Sequence, residues 1–195
     1  MKKLFTSLLV ICLFTGNGFA QNKYVRPKAL GVSFVMNDFK TAQRIKTGSL
    51  ETVLREKTWA KLDEMSPGLA LSYFQGLSSH IDFAGTLISS YVAYPVPNKP
   101  AGTTDGLLLE ADASLNLKLL SDRYWVSPYL SVGVGASKYK NYYGAIMPLG
   151  AGIKVNFFDE AAVFFNTQYR VGVTKETTAS HFIYSIGVAG SLGGN

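Results

Sequence analysis

Leu107-Leu108-Leu109-Glu110-Ala111-Asp112-Ala113-Ser114-Leu115-Asn116-Leu117-Lys118-Leu119 decides how this chain folds. Every odd position is apolar, while the even positions from Glu110 onward carry carboxylates, a hydroxyl, an amide and an amine. Successive side chains of a strand point to opposite faces. A period of two over this length therefore describes a β-strand with one face in an apolar medium and the other among polar groups. A tilted strand crosses a bilayer in about 9–11 residues. The segment reads as one stave of a membrane barrel.

The same alternation recurs along the chain and predicts eight strands, at Ala29–Asn37, Met65–Phe74, His80–Tyr94, Gly106–Leu119, Trp125–Ser137, Ala145–Phe157, Ala161–Val173 and His181–Leu192. An even number suits a closed barrel whose ends share one side of the membrane. The third strand is the poorest, because Ile88 and Val92 fall on the face opposite Ile81, Phe83, Leu87 and Tyr91. The connections alternate in length. Gln75–Ser79, Leu120–Tyr124 and Phe158–Glu160 are short, whereas Asp38–Glu64, Pro95–Asp105, Lys138–Gly144 and Thr174–Ser180 are longer. Short periplasmic turns and longer outer loops are the habit of outer-membrane barrels, and this places both chain ends in the periplasm. Aromatics gather in two tiers. Tyr73-Phe74, Tyr124-Trp125 and Phe157-Phe158 lie beside the short turns, and Phe39, Trp59, Tyr91, Tyr94, Tyr139, Tyr142, Tyr143 and Phe182 near the long loops. Rings at both interfaces are expected of a barrel in lipid.

A soluble barrel of the lipocalin kind would alternate as strictly, but inside out. The polar phase argues against it: Gly31, Ser33, Gly68, Ala70, Ser72, Ser131, Gly133, Gly150, Gly187 and Ala189 are small and uncharged. Such residues suit a crowded lumen, since eight strands enclose only enough room for side chains. The expected fold is an all-β, eight-stranded antiparallel up-and-down transmembrane β-barrel.

Residues 1–20 have the pattern of a secretory signal peptide. Lys2 and Lys3 precede an apolar run from Leu4 to Phe14, and Gly18-Phe19-Ala20 offers a small-x-small cleavage site after Ala20. The run is shorter than the roughly 20 residues of a spanning helix. Cys12, the lone cysteine, follows the bulky Ile11, which disfavours a lipoprotein site, and it leaves with the signal. The mature chain, one barrel domain over residues 21–195, then has no thiol and a net charge lowered from +6 by the loss of Lys2 and Lys3. That mild basic excess on an exported chain does not point to nucleic acid.

Several stretches resemble the small outer-membrane β-barrel proteins of Bacteroidetes, related to the OmpA transmembrane domain. They are Ser66-Pro67-Gly68-Leu69 leading into Tyr73, Pro128-Tyr129-Leu130 with Gly133-x-Gly135, Pro148-Leu149-Gly150-Ala151-Gly152 and Ser185-Ile186-Gly187-Val188-Ala189. The resemblance covers nearly the whole mature chain and implies a barrel without a catalytic motif. A periplasmic OmpA-like domain is not expected, because the chain stops at Asn195. Gly193-Gly194-Asn195 also lacks the terminal aromatic that many barrels offer the assembly machinery.

Charged residues on the inward phase form the first candidate site. Glu110 and Asp112 project from the fourth strand and Arg170 from the seventh, each about nine residues from its periplasmic turn and so at similar heights by strand rise. A lower layer gathers Asp82, Lys118 and Lys154, with His80 beneath. An unpaired charge in a dry lumen is very costly, so these six residues are expected to form ion pairs that plug the barrel. A conducting path is the alternative. A second candidate is the basic first loop, where Lys40, Arg44, Lys46, Arg55, Lys57 and Lys61 stand among Glu51, Asp63 and Glu64. Ser49 caps a predicted short helix through Leu50, Val53 and Leu54. This loop is positioned either to meet lipopolysaccharide phosphates or to act as a solvated cover.

Evidence for chemistry is thin. Barrel enzymes that deacylate lipid A carry a His-x-Ser pair in which imidazole takes the serine proton. Here His80 is followed two residues later by Asp82, and His181 by Ile183. His181 with Asp105 is the remaining acid–base candidate, of the omptin kind, against the plainer reading of a rim histidine in water. No metal-ligand spacing is present, and Gly133-x-Gly135 lies mid-strand, in the wrong context for phosphate binding. The sequence thus predicts a monomeric outer-membrane protein of structural or interaction type, with no catalysis, cofactor or metal. A narrow, porin-like pore is the alternative, and a lipid-modifying or proteolytic barrel a more remote one. Expected partners are outer-membrane lipid, lipopolysaccharide and, during biogenesis, the barrel-assembly machinery.

Overall fold

The computed structural model describes residues 24–97, 105–157 and 160–193. Eight strands follow in chain order: β1 (Ala29–Asp38), β2 (Ser66–Gly76), β3 (Ile81–Val92), β4 (Gly106–Lys118), β5 (Val126–Tyr139), β6 (Tyr142–Phe157), β7 (Ala161–Gly172) and β8 (His181–Ser191). Each pairs antiparallel with its sequence neighbours, and β1 closes against β8. Closure leaves no strand edge unpaired. The expected eight-stranded antiparallel up-and-down barrel is the fold.

The alternation in the sequence becomes the two faces of the wall. Leu69, Leu71, Leu87, Leu107, Leu115, Leu130, Val134 and Val188 point outward and are exposed, while Glu110, Asp112, Asp82, Lys118, Lys154 and Arg170 point inward and are buried. Soluble proteins bury apolar groups and expose charges; this molecule does the reverse, as a bilayer demands of a barrel. Ile88 and Val92, out of phase in the sequence, point inward and are buried with Ala84 of the same strand.

Small inward residues make room for the side chains of their register partners on neighbouring strands. A Cβ at Gly152 would lie 2.4 Å from the Tyr129 ring, and one at Gly187 would lie 2.4 Å from the Ser33 Cβ and 2.7 Å from the Phe164 ring. Phe74 and Phe164 meet edge to face at 5.4 Å in the lower half. Phe74 therefore faces the lumen, not the lipid interface expected for the Tyr73-Phe74 pair.

The loops depart most from expectation. The connection predicted at Lys138–Gly144 is only the two-residue turn Lys140-Asn141, because β5 and β6 pair as far as Tyr139 and Tyr142. Lys140 closes that hairpin at a positive φ of 51°, which a two-residue hairpin turn requires. The connection after β4, predicted as a short turn, is longer than expected, running from Leu119 to Trp125. The first loop folds as two short helices, α1 (Phe39–Thr47) and α2 (Leu50–Glu56), and a 3-10 turn at Leu62–Glu64. The Asp38 carboxylate caps α1 by accepting from the Thr41 N–H at 2.8 Å. Ser49 caps α2 as the sequence predicted, accepting from the Thr52 N–H at 3.1 Å. His80 is exposed in the β2–β3 turn rather than beneath the lower lumen layer. The predicted signal peptide, Phe158, Asp159, most of the Pro95–Asp105 connection and Gly194-Asn195 lie outside the described residues.

Candidate functional site

The lumen is closed by two layers of charge. In the upper layer the Arg170 guanidinium donates to Glu110 Oε2 at 3.1 Å, to Asp112 Oδ2 at 2.5 Å and to Gln168 Oε1 at 3.2 Å. The Ser114 hydroxyl donates to the other Asp112 oxygen at 2.9 Å. The Arg170, Glu110 and Asp112 side chains of this layer are buried, with Arg170 and Glu110 wholly sealed from solvent. A planar guanidinium donates along fixed directions, so one arginine spans β7 and β4 and holds two carboxylates at once.

His181 joins this layer, which the sequence did not suggest. Its Nε2 lies 3.4 Å from Glu110 Oε2 and its Nδ1 lies 3.1 Å from the Ala179 carbonyl. A carbonyl only accepts, so Nδ1 carries a proton and Nε2 faces the carboxylate. The omptin-like pairing with Asp105 is not formed: Asp105 is exposed, whereas His181 is buried under Phe39, whose ring stacks on the imidazole at 4.4 Å. Phe39 also meets Tyr94 edge to face at 5.2 Å, and Tyr94 stacks on Tyr139 at 5.1 Å, so the rings run on across the mouth. They belong to the plug and not to the outer girdle predicted for them, which keeps Tyr91 and Tyr143. The Tyr94 hydroxyl accepts from the Ala179 N–H at 2.7 Å, and burial pushes its pKa up to about 12, so it stays a neutral clasp between two loops.

In the lower layer Lys118 donates to Asp82 and Asp122 at 2.6 Å each, and Lys154 donates to Asp82 at 2.9 Å. The missing member was Asp122, in the turn after β4, which replaces the expected His80. Burial pushes the Asp122 carboxyl up, but Lys154 and Lys118 together outweigh it and hold the group below the usual carboxylate range. Asn156 ties this layer to the chain entering β1, accepting from Arg26 at 3.1 Å and donating to the Tyr124 carbonyl at 3.0 Å. Between the layers lies a cavity of about 30 Å³ lined by Ser33, Ser72, Ser114, Asn116 and Gln168 among others. That is room for about one or two waters and not for a solute path.

The basic first loop is less concentrated than its sequence. Arg44 is turned back onto Glu64 at 3.0 Å and onto the Thr58 carbonyl at 3.0 Å. Hydrogen bonding from the Lys61 N–H, aided by Arg44, keeps the Glu64 carboxyl low. Arg55 approaches Glu56 at 3.6 Å, and Lys46, Lys57 and Lys61 are exposed. Among the described residues no group of three or more histidine, cysteine or carboxylate side chains is placed to hold a metal ion.

No family model matches the chain, and no curated protein matches it. Solved structures do. The N-terminal β-barrel domain of Pseudomonas aeruginosa OprF is 13% identical, with a TM-score of 0.53 over 86% of this chain and 98% of that one. Neisserial surface protein A is 11% identical, with a TM-score of 0.55 over 88% of this chain and 100% of the other. Ail, the attachment invasion locus protein of Yersinia pestis, is 11% identical, with a TM-score of 0.50 over 85% and 98%. At such identities the likeness concerns the fold. The chain has the fold of the small eight-stranded outer-membrane barrels.

Proposed function

We propose that the mature chain, released by cleavage after Ala20, resides in the outer membrane as a monomeric barrel of structural or interaction type, with a plugged lumen and no catalytic turnover. The observation that carries this reading is the pair of buried ion-pair layers, Arg170–Glu110–Asp112 above and Lys118–Lys154–Asp82–Asp122 below, separated by a cavity of about 30 Å³. The four lumen carboxylates that would serve a transported cation are already paired with Arg170, Lys118 and Lys154. His181, which a hydrolytic reading would need at the surface, is sealed beneath Phe39. What remains accessible is the outer end, where nine basic and six acidic residues are found among the described loop and rim residues. A net basic rim facing the anionic outer leaflet supports lipopolysaccharide as a contact of the first loop, and the Bacteroidetes-type relationship is kept as part of the same proposal. The assembly machinery is the partner during biogenesis.

Planar-bilayer recording tests the proposal. The plugged reading expects no steady conductance from the purified protein. Steady current that changes on Lys118→Gln or Lys154→Gln would replace it with the narrow pore, and turnover of a lipid A substrate would replace it with an enzyme.

A further inference from the structure

The outward face of β5 is apolar through Leu130, Val132, Val134 and Ala136, and then presents Lys138. In the register of the wall Lys138 lies between Leu109 of β4 and Tyr143 of β6, its Nζ 5.2 Å from the centroid of the Tyr143 ring. Lys140 follows in the tight turn, its Nζ 5.3 Å from the Tyr139 ring. With Leu107 and Leu109 these two lysines line a groove of about 210 Å³ on the outside of the barrel. The row of wall residues directly below consists of Ala111, Ala136 and Ala145, register partners of one another and all outward-facing. Three methyl groups side by side leave a dip between Leu109 and Tyr143 above and Val134 and Met147 below. Ammonium groups thus stand at the edge of the apolar band, immediately above a depression within it.

We propose that this corner of the outer rim holds one phosphate-bearing lipid of the outer leaflet. Its phosphate sits between the Lys138 and Lys140 ammonium groups, and one acyl chain lies against Leu107 and Leu109 and down the alanine dip. Charge complementarity selects the occupant. A lysine whose stem lies on apolar surface and whose amine reaches the interface meets headgroups, and a pair of them favours an anionic group over a zwitterionic one. The Tyr143 ring holds the Lys138 amine over the wall by its face, so less side-chain freedom is lost when the phosphate binds. The site is distinct from the first-loop lysines. It rests on the reading that the barrel spans the membrane with its loops outward.

The test uses the full mature protein in a neutral detergent, titrated with diphosphoryl lipid A and with the same lipid after dephosphorylation, with bound lipid counted by native mass spectrometry. The parent should bind the phosphorylated form more tightly, and Lys138→Gln with Lys140→Gln should weaken that binding about tenfold or more while leaving the dephosphorylated form unchanged. Ala136→Phe, which fills the dip, should weaken both forms. Equal binding of the two lipids by the parent, or binding of the phosphorylated form left unchanged by the Lys138→Gln with Lys140→Gln variant, overturns the proposal. A parent whose gel mobility is the same before and after boiling fails as a barrel, which rejects the broader reading separately.

Discussion

Replacing Arg170 by methionine removes the one group that holds both upper carboxylates. In the parent its guanidinium reaches Glu110 at 3.1 Å, Asp112 at 2.5 Å and Gln168 at 3.2 Å. Methionine fills much of the volume but donates nothing. Glu110 then keeps His181 and the Ser137 hydroxyl, and Asp112 the Ser114 hydroxyl. Removing one partner of a buried ion pair costs about 3–5 kcal/mol, because the other charge stays desolvated. Replacing all three residues, Glu110→Leu, Asp112→Val and Arg170→Met, removes the desolvation cost with the attraction and should come within about 1 kcal/mol of the parent. Urea unfolding in detergent micelles, followed by tryptophan fluorescence from Trp59 and Trp125, measures both. At a slope of about 2 kcal/mol per molar, the single variant should lose roughly 2 M from its midpoint. A single variant as stable as the parent would refute the reasoning, since Arg170 would then be hydrated. A triple variant as damaged as the single one would show that the pair itself supplies the stability.

Gly187→Ala places a methyl 2.4 Å from the Ser33 Cβ and 2.5 Å from the Val32 carbonyl oxygen; overpacking of this kind should cost about 1–3 kcal/mol in the same assay. Asp122 is held below its ordinary pKa, so its contribution to stability is complete above the unfolded-state value and is lost as pH falls through the lower folded value. Asp122→Asn should therefore flatten the acid limb of the pH–stability curve, read from urea midpoints between neutral and strongly acid buffer. Asp38→Ala removes the cap of α1 and should cost about 1 kcal/mol locally, seen as faster amide exchange over residues 41–47 with the strands unchanged.

The wall was legible because every strand carries its own period-two signal, and the parity of a residue states which face it takes. Glu110, Asp112, Arg170, Asp82, Lys118 and Lys154 all sit on inward parity, and the structure gathers them into two layers. The same parity runs from Tyr129 to Tyr139 in β5 and from Ile88 to Tyr94 beyond β3. Parity turns Tyr139 and Tyr94 inward, and it outweighs their position beside a loop. Asp122 and Arg26 lie outside any strand and have no parity to read; only the closed barrel brings them against Lys154 and Asn156. His181 stands at the first position of β8, where a lone imidazole gives no local sign that a loop aromatic, Phe39, will cover it. The β5–β6 hairpin was missed because Lys140-Asn141 lacks a glycine and the tyrosines around it resemble an interfacial loop. Asp38 with Thr41 did carry a helix-capping signal for α1, which its polar composition masked.

The central claim is that the outward parity of the wall lies in lipid and the inward parity in a sealed lumen. Its most direct test places single spin labels at successive positions from Leu107 to Lys118 of the protein in lipid vesicles, and measures collision with oxygen and with a water-soluble nickel complex. A wall in lipid gives period-two alternation, with high oxygen access at Leu107, Leu109, Ala111, Ala113, Leu115 and Leu117, and low access to both reagents at the even positions. High nickel access at the outward positions would contradict it, as would an absence of alternation.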